Sequence, residues 1–133
     1  MESETRVPIN SATDIVIARQ KGRAMATALG FAAADLTLIA TAISEVARNI
    51  VDHAKRGEII ISGAQHGNRS GIAITAQDEG PGIKNIIQAM QYGYSTRKGL
   101  GVGLPGAKWL MDEFTIYSKV GEGTTVNMKK WLG

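Results

Sequence analysis

The chain has 133 residues, 44% of them hydrophobic, enough for one compact domain with a core of its own. It contains no cysteine, which excludes a disulfide framework, a thiolate metal site and cysteine catalysis. Net charge is +3, with the basic residues dispersed and only 5% aromatics, unlike the clustered footprint of a nucleic-acid surface; solvated charge with some attraction for anions such as nucleotide phosphates fits better. No apolar run reaches the roughly 18–20 residues of a membrane span. The start, Met1 to Arg6, lacks the basic and apolar regions of a signal peptide. The expectation is a cytoplasmic protein that binds neither nucleic acid nor membrane.

In chain order, residues 5–10 read as a first strand. Ser11 to Asp14 offers N-cap chemistry, and Asp14 to Leu29 reads as a helix, with Ile15, Ala18, Gly22, Met25, Ala26 and Leu29 at helical spacing and Gly30 as its C-cap. A second helix runs from Ala33 to Ala54 on the stripe Leu36, Ile39, Ile43, Val46, Ala47, Ile50 and Ala54. Glu58 to Ser62 reads as a strand, Gly63 to Ser70 as a turn, and Ile72 to Ala76 as the antiparallel partner strand. Asp78 to Gly82 breaks that strand. A short helix is expected over Ile83 to Met90, a long polar loop over 91–102, and a helix over Gly103 to Met111, entered through Pro105. Phe114 to Val120 and Thr124 to Trp131 close the chain as strands joined at Gly121 to Gly123. This order predicts an α+β two-layer sandwich with helices on one face of the sheet.

Glu45 and Asn49 lie four residues apart and share a helix face, turned away from the Ile43, Val46 and Ile50 stripe. A carboxylate there can take a proton from an attacking hydroxyl, and a carboxamide oxygen is a hard ligand for Mg²⁺. An ordinary solvated helix face is the competing reading, and Arg48 and Asp52 favour it. Asp78, at a strand end before Gly80 and Gly82, sets a carboxylate beside a backbone without Cβ atoms, where a flat base can lie; an ordinary turn has the same composition. Gly99, Gly101 and Gly103 alternate with Leu100, Val102 and Leu104 and open a helix, an arrangement that aims N–H groups at a phosphate, with Arg97 and Lys98 just before it. Thr124, in the last hairpin, could place a hydroxyl near the base.

Other nucleotide motifs fail on context. Gly101 to Gly106 matches G-x-G-x-x-G, but loop-like Tyr94 to Lys98 precedes it rather than a buried strand. There is no P-loop and no V-A-I-K, H-R-D or D-F-G set. His53 and His66 lack ligand spacing for zinc, and Trp109 and Trp131 read as packing residues from their apolar surroundings.

Taken together, E-x-x-x-N on a helix, D-x-G-x-G, G-x-G-x-G and G-x-G-T between strands resemble, in order, the GHKL superfamily (Bergerat fold) of the DNA gyrase B subunit, MutL and histidine-kinase catalytic domains; the motifs span residues 45 to 124. The closer resemblance is to the anti-sigma-factor serine/threonine kinases, and among these to the switch kinases of the bacterial stressosome. Thr41 to Ile50, Gly99 to Gly106, Leu110 to Phe114 and Lys130 to Leu132 carry it, over nearly the whole chain.

This resemblance implies one GHKL ATP-binding kinase domain over 1–133, with a mixed, mainly antiparallel sheet and an ATP lid at about 91–102. It implies adenine against Asp78, Gly82 and Thr124, with Gly80 and Ile83 beside them, and Mg²⁺ on Asn49. Arg97, Lys98, Gly99, Leu100, Gly101, Val102, Gly103 and Leu104 would surround the phosphates, and Glu45 would be the general base. The implied partners are STAS-domain substrates of the RsbS and RsbR kind and a phosphatase of the RsbU kind. The lid is short for the family. Two alternatives stay open: a GHKL ATPase that drives a conformational cycle, and an anti-sigma-like binding module without kinase activity.

Overall fold

The computed structural model describes residues 4–54, 56–82 and 103–132. The helix expected at 83–90 and the loop at 91–102 lie outside these residues. The described elements are β1 (Glu4–Ile9), α1 (Ala12–Leu29), α2 (Ala33–His53), β2 (Gly57–His66), β3 (Arg69–Asp78), α3 (Leu104–Leu110), β4 (Glu113–Lys119) and β5 (Gly123–Trp131). The five strands form one sheet in the order β1-β2-β3-β5-β4. All four pairings are antiparallel, so among the described residues the sheet is antiparallel throughout rather than mixed. The topology explains this: two helices separate β1 from β2 and return the chain antiparallel, and β2-β3 and β4-β5 are hairpins.

Alternation along the strands assigns the faces. Val7, Ile9, Ile59, Ile61, Ile72, Ile74, Ala76, Val126 and Met128 are buried under the helices. On the opposite face Thr75 donates to Asn127 across β3 and β5 at 2.9 Å, and Arg6 reaches Glu58 at 3.0 Å. The hydrogen bond that Arg6 donates to Glu4, then the charges of Glu4 and Glu58, hold the Arg6 guanidinium above its ordinary value; the side chain is exposed and the contact carries little stability.

Helix α1 starts where the Asp14 carboxylate accepts the amides of Asn10 and Ser11, at 2.8 and 3.2 Å. It ends at Gly30, left-handed at φ 103°, whose N–H returns to the carbonyls of Ala26 and Thr27. Helix α2 buries Ile39, Ile43, Val46, Ala47 and Ile50 as its stripe predicts, but also Ala40, Ala42, Ser44 and Glu45. It packs against α1 and the sheet and also against α3, so more than one side of it is covered.

Two further expectations are corrected. Residues 63–70 are not one long turn: β2 and β3 pair as far as His66 and Arg69, leaving only Gly67 and Asn68 as the turn. Small and polar residues there read as loop, but the ladder satisfies their backbone groups. Trp109 is not a packing residue; it is 80% exposed, whereas Trp131 is buried. Helix α3 buries Leu104 to Ala107 and ends at Leu110, so Trp109 falls on its outer side.

Ile43 is fully buried between α1 and the sheet. Ile43→Ala is expected to cost about 2–5 kcal/mol in urea unfolding, with an unchanged m-value.

Candidate active site

Helix α2 carries Glu45 and Asn49 on the side that faces α3 rather than the sheet. Glu45 is not the solvated side chain that an exposed helix face would present: it is 6% exposed. Its Oε1 accepts the backbone N–H of Gly103 at 3.2 Å, and its Oε2 accepts Arg48 Nη1 at 3.2 Å. Gly103 is the N-cap of α3, with Pro105 in the first turn as expected, and Leu104 is buried. Asn49 is half-buried, one turn beyond Glu45. The buried Ser44 hydroxyl donates to the Ala40 carbonyl at 2.9 Å and is satisfied within the helix.

Asp78 ends β3 opposite Thr124 in β5. Its Oδ1 accepts the N–H of Gly80 at 2.9 Å and of Thr124 at 3.3 Å, which ties the turn after β3 to the start of β5. Thr124 is 5% exposed, and its Oγ1 lies 2.8 Å from Ser118 Oγ on β4. The turn leaves no room for side chains. A Cβ on Gly80 would run into Ala54 at the end of α2, and one on Gly82 (φ +77°) into the Lys119 carbonyl. Gly123, at φ +116°, passes so close to Asp78 that a Cβ would enter its carbonyl oxygen. Gly121 N–H donates to the Pro81 carbonyl at 2.8 Å and joins the two turns.

The Ala54–Gly80 contact sets the C-terminal end of α2 against the Asp78 turn, while Glu45 meets Gly103 nine residues earlier. Nine residues of helix span about 13 Å along the axis. The structure therefore brings together Asp78, Gly80, Gly82 and Thr124 at the C-terminal end of α2, and Glu45, Gly103 and Leu104 near the middle of that helix, with Asn49 between. Ile83, Arg97, Lys98, Gly99, Leu100, Gly101 and Val102 lie outside the described residues. A separate cleft of about 500 Å³, lined by Arg56, Glu58, Gln77 and Glu79, opens at the same end of the sheet and shares only Asp78 with this set.

Two residues of the site carry no motif signal. Arg48 reads as part of a solvated face, although its i,i+3 spacing from Glu45 was visible. Ser118 becomes apparent only from its register with Thr124.

Comparison with known proteins sharpens this geometry. The model of the histidine kinase-like ATPase domain matches residues 10–130. The chain belongs to the histidine kinase-like ATPase family. It is 48% identical over 132 residues to the serine/threonine-protein kinase RsbT of Bacillus subtilis, covering 99% of each chain. An anti-sigma F factor of Anoxybacillus flavithermus is 37% identical over 105 residues, 74% of this chain and 70% of that one. The full-length likeness to RsbT makes this member of the family a kinase of the protein-serine/threonine class. In fold, it resembles the crystal structure of the RsbU and RsbW domains of a Mycobacterium tuberculosis protein, with a TM-score of 0.66 and 20% identity; the match covers all of this chain and one third of that one. No helix among the described residues is long and apolar enough to cross a membrane.

Gly123→Ala should cost at least about 1–3 kcal/mol from the positive φ, to which the clash of its Cβ with the Asp78 carbonyl adds. It should also shift the amide resonances of Gly80 and Thr124, which share Asp78 Oδ1; unshifted amides would show that the junction tolerates a side chain.

Proposed function

We propose that the chain transfers the γ-phosphoryl group of ATP to a serine or threonine of an STAS-domain protein of the RsbS or RsbR kind, and that after release it activates an RsbU-like phosphatase. The observation that carries the kinase reading is Glu45: a carboxylate 6% exposed, tied at both oxygens, on the same helix face as Asn49, in a chain nearly half identical to a serine/threonine kinase.

In this reading, adenine lies at the Asp78 end of α2. Asp78 Oδ1 is engaged by Gly80 and Thr124, which fixes the carboxylate and leaves its second oxygen to accept the exocyclic amine. Gly80 and Gly82 present bare backbone to the flat ring. Span favours this direction, since about 13 Å of helix separates the adenine end from Glu45 and suits an extended triphosphate.

Asn49 fits Mg²⁺ by its donor chemistry. It offers one hard oxygen, and Mg²⁺ ordinarily takes one or two protein ligands with phosphate and water. No cluster of three acidic or histidine side chains among the described residues competes for the ion. When bound, the ion would neutralise phosphate charge. Arg97, Lys98 and the Gly99 to Gly103 motif would surround the phosphates with cationic and N–H contacts, the Gly103 N–H itself being held by Glu45, as part of an ATP lid at about 91–102. The substrate hydroxyl attacks the γ-phosphorus, its bond to the β–γ bridging oxygen breaks, ADP departs, and the hydroxyl proton passes to Glu45.

The reading is tested by incubating the chain with ATP, Mg²⁺ and an RsbS-type STAS-domain protein, followed by intact mass. A gain of one phosphoryl group on the partner is expected. ATP turnover without partner modification would point to an ATPase. Tight binding with neither would point to a binding module, the reading that the anti-sigma F factor likeness favours.

Glu45→Ala should keep its ATP affinity and lose roughly 10²–10⁴-fold in transfer rate; full activity would remove Glu45 as the base. Asp78→Asn should instead weaken ATP binding in a titration, because the amide offers its N–H₂ or a single oxygen where a carboxylate accepts throughout. Unchanged affinity would sink the adenine assignment.

A further inference from the structure

We infer that Arg48 is a positioning residue of phosphoryl transfer: its guanidinium fixes the Glu45 carboxylate in the plane in which that carboxylate can receive the substrate proton. The inference rests on the reading of Glu45 as the general base.

A carboxylate has two oxygens and about four acceptor sites. Gly103 N–H fills one on Oε1, and Arg48 Nη1 fills one on Oε2. A single tie would leave the group free to turn about its terminal torsion, which has broad wells. The second tie, on the other oxygen, removes that freedom and leaves acceptor sites for a hydroxyl. The two ties come from different elements: Gly103 caps α3, whereas Arg48 is on Glu45's own helix at i,i+3 and moves with it.

Burial sets this pair apart from an ordinary surface bridge. The Glu45 side chain is 7% exposed and the Arg48 side chain 31%, against 61% and 64% for the i,i+3 pair Lys119 and Glu122. Water and salt screen the second pair and screen the first far less.

Arg48→Gln and Arg48→Lys in the full chain, each alone and combined with Glu45→Gln, test the inference. The readouts are the rate of phosphoryl transfer to an RsbS-type STAS-domain protein at saturating ATP, ATP affinity by titration, and thermal unfolding. Arg48→Gln is expected to lower kcat by roughly 10- to 100-fold, the scale for losing a group that orients a reactive one, with ATP affinity retained. Arg48→Lys, which keeps the charge but not the planar fork, should recover part of that loss. In the Glu45→Gln background, Arg48→Gln should add nothing, since residues acting as a unit are not additive.

A wild-type kcat in Arg48→Gln beside an impaired Glu45→Gln overturns the role of Arg48 and leaves the base standing. Full activity in Glu45→Gln overturns the base itself. Equal losses from Arg48→Gln in both backgrounds, or weakened ATP binding at unchanged kcat, also overturn the inference. Where Arg48→Gln does not fold, the cycle built on Arg48→Lys decides by the same criteria.

Discussion

Glu45 stands 6% exposed on the helix that also carries the main apolar stripe, and an ionised carboxylate in such a place costs several kcal/mol unless it is paired and hydrogen-bonded. Gly103 N–H and the Arg48 guanidinium are what offset that cost. The first requires α3 to begin beside α2, so the cap of α3 and the burial of Leu104 to Ala107 are tied to one side chain of α2. The second requires only the turn of α2 itself. Removing either partner would leave a buried charge under-satisfied, which is more damaging than losing a surface bridge of the same length.

The C-terminal end of α2 is fixed by a different device. There, a single oxygen of Asp78 gathers the turn after β3 and the first residues of β5, and close backbone approach at Gly80, Gly82 and Gly123 takes the place of side-chain packing. Glycine costs conformational entropy in such a segment. Here it lets α2, β3 and β5 meet at one point, with Ala54 against Gly80 as the contact between layers. The Ser118 hydroxyl meets both the Thr124 hydroxyl and the Gly123 carbonyl, so side-chain polar groups of this junction find protein partners.

Much of this was legible in the sequence, for identifiable reasons. Helical spacing placed α1 and α2, since Ile15 to Ala26 and Ile39 to Ile50 have one strong period each. The paired glycines after Asp78 and around Glu122 marked turns because few other residues suit them. What the sequence hid depends on third elements. An amphipathic pattern assumes a buried side and a wet side, but α2 is also covered by α3, so a solvated face competed as the reading of Glu45, with Arg48 in its favour. The long β2-β3 hairpin was hidden because Ala64, Gln65, Ser70 and Gly71 have weak strand propensity, and cross-strand pairing overrides propensity. Trp109 was misjudged because apolar neighbours in sequence occupy other sides of a seven-residue helix.

Helix α2 is the member that turns these local solutions into one site. It is buried against α1 and the sheet on one side and α3 on another, so it has little freedom to bend or shift, and Ser44 closes its own hydrogen bond to Ala40 without calling on the site. Glu45 and Asn49 inherit that rigidity, one turn or about 6 Å of rise apart. A proton acceptor and a hard oxygen ligand held at fixed separation suit a reaction whose demands are mainly position and charge. The sheet supplies the other reference point through Asp78, and because Ala54 meets Gly80 the distance between the two is set by helix length rather than by a loop. A nucleotide held at the C-terminal end of α2 would thus be registered against Glu45 further along the same helix, and the specificity of the site and its chemistry would share a single rigid ruler.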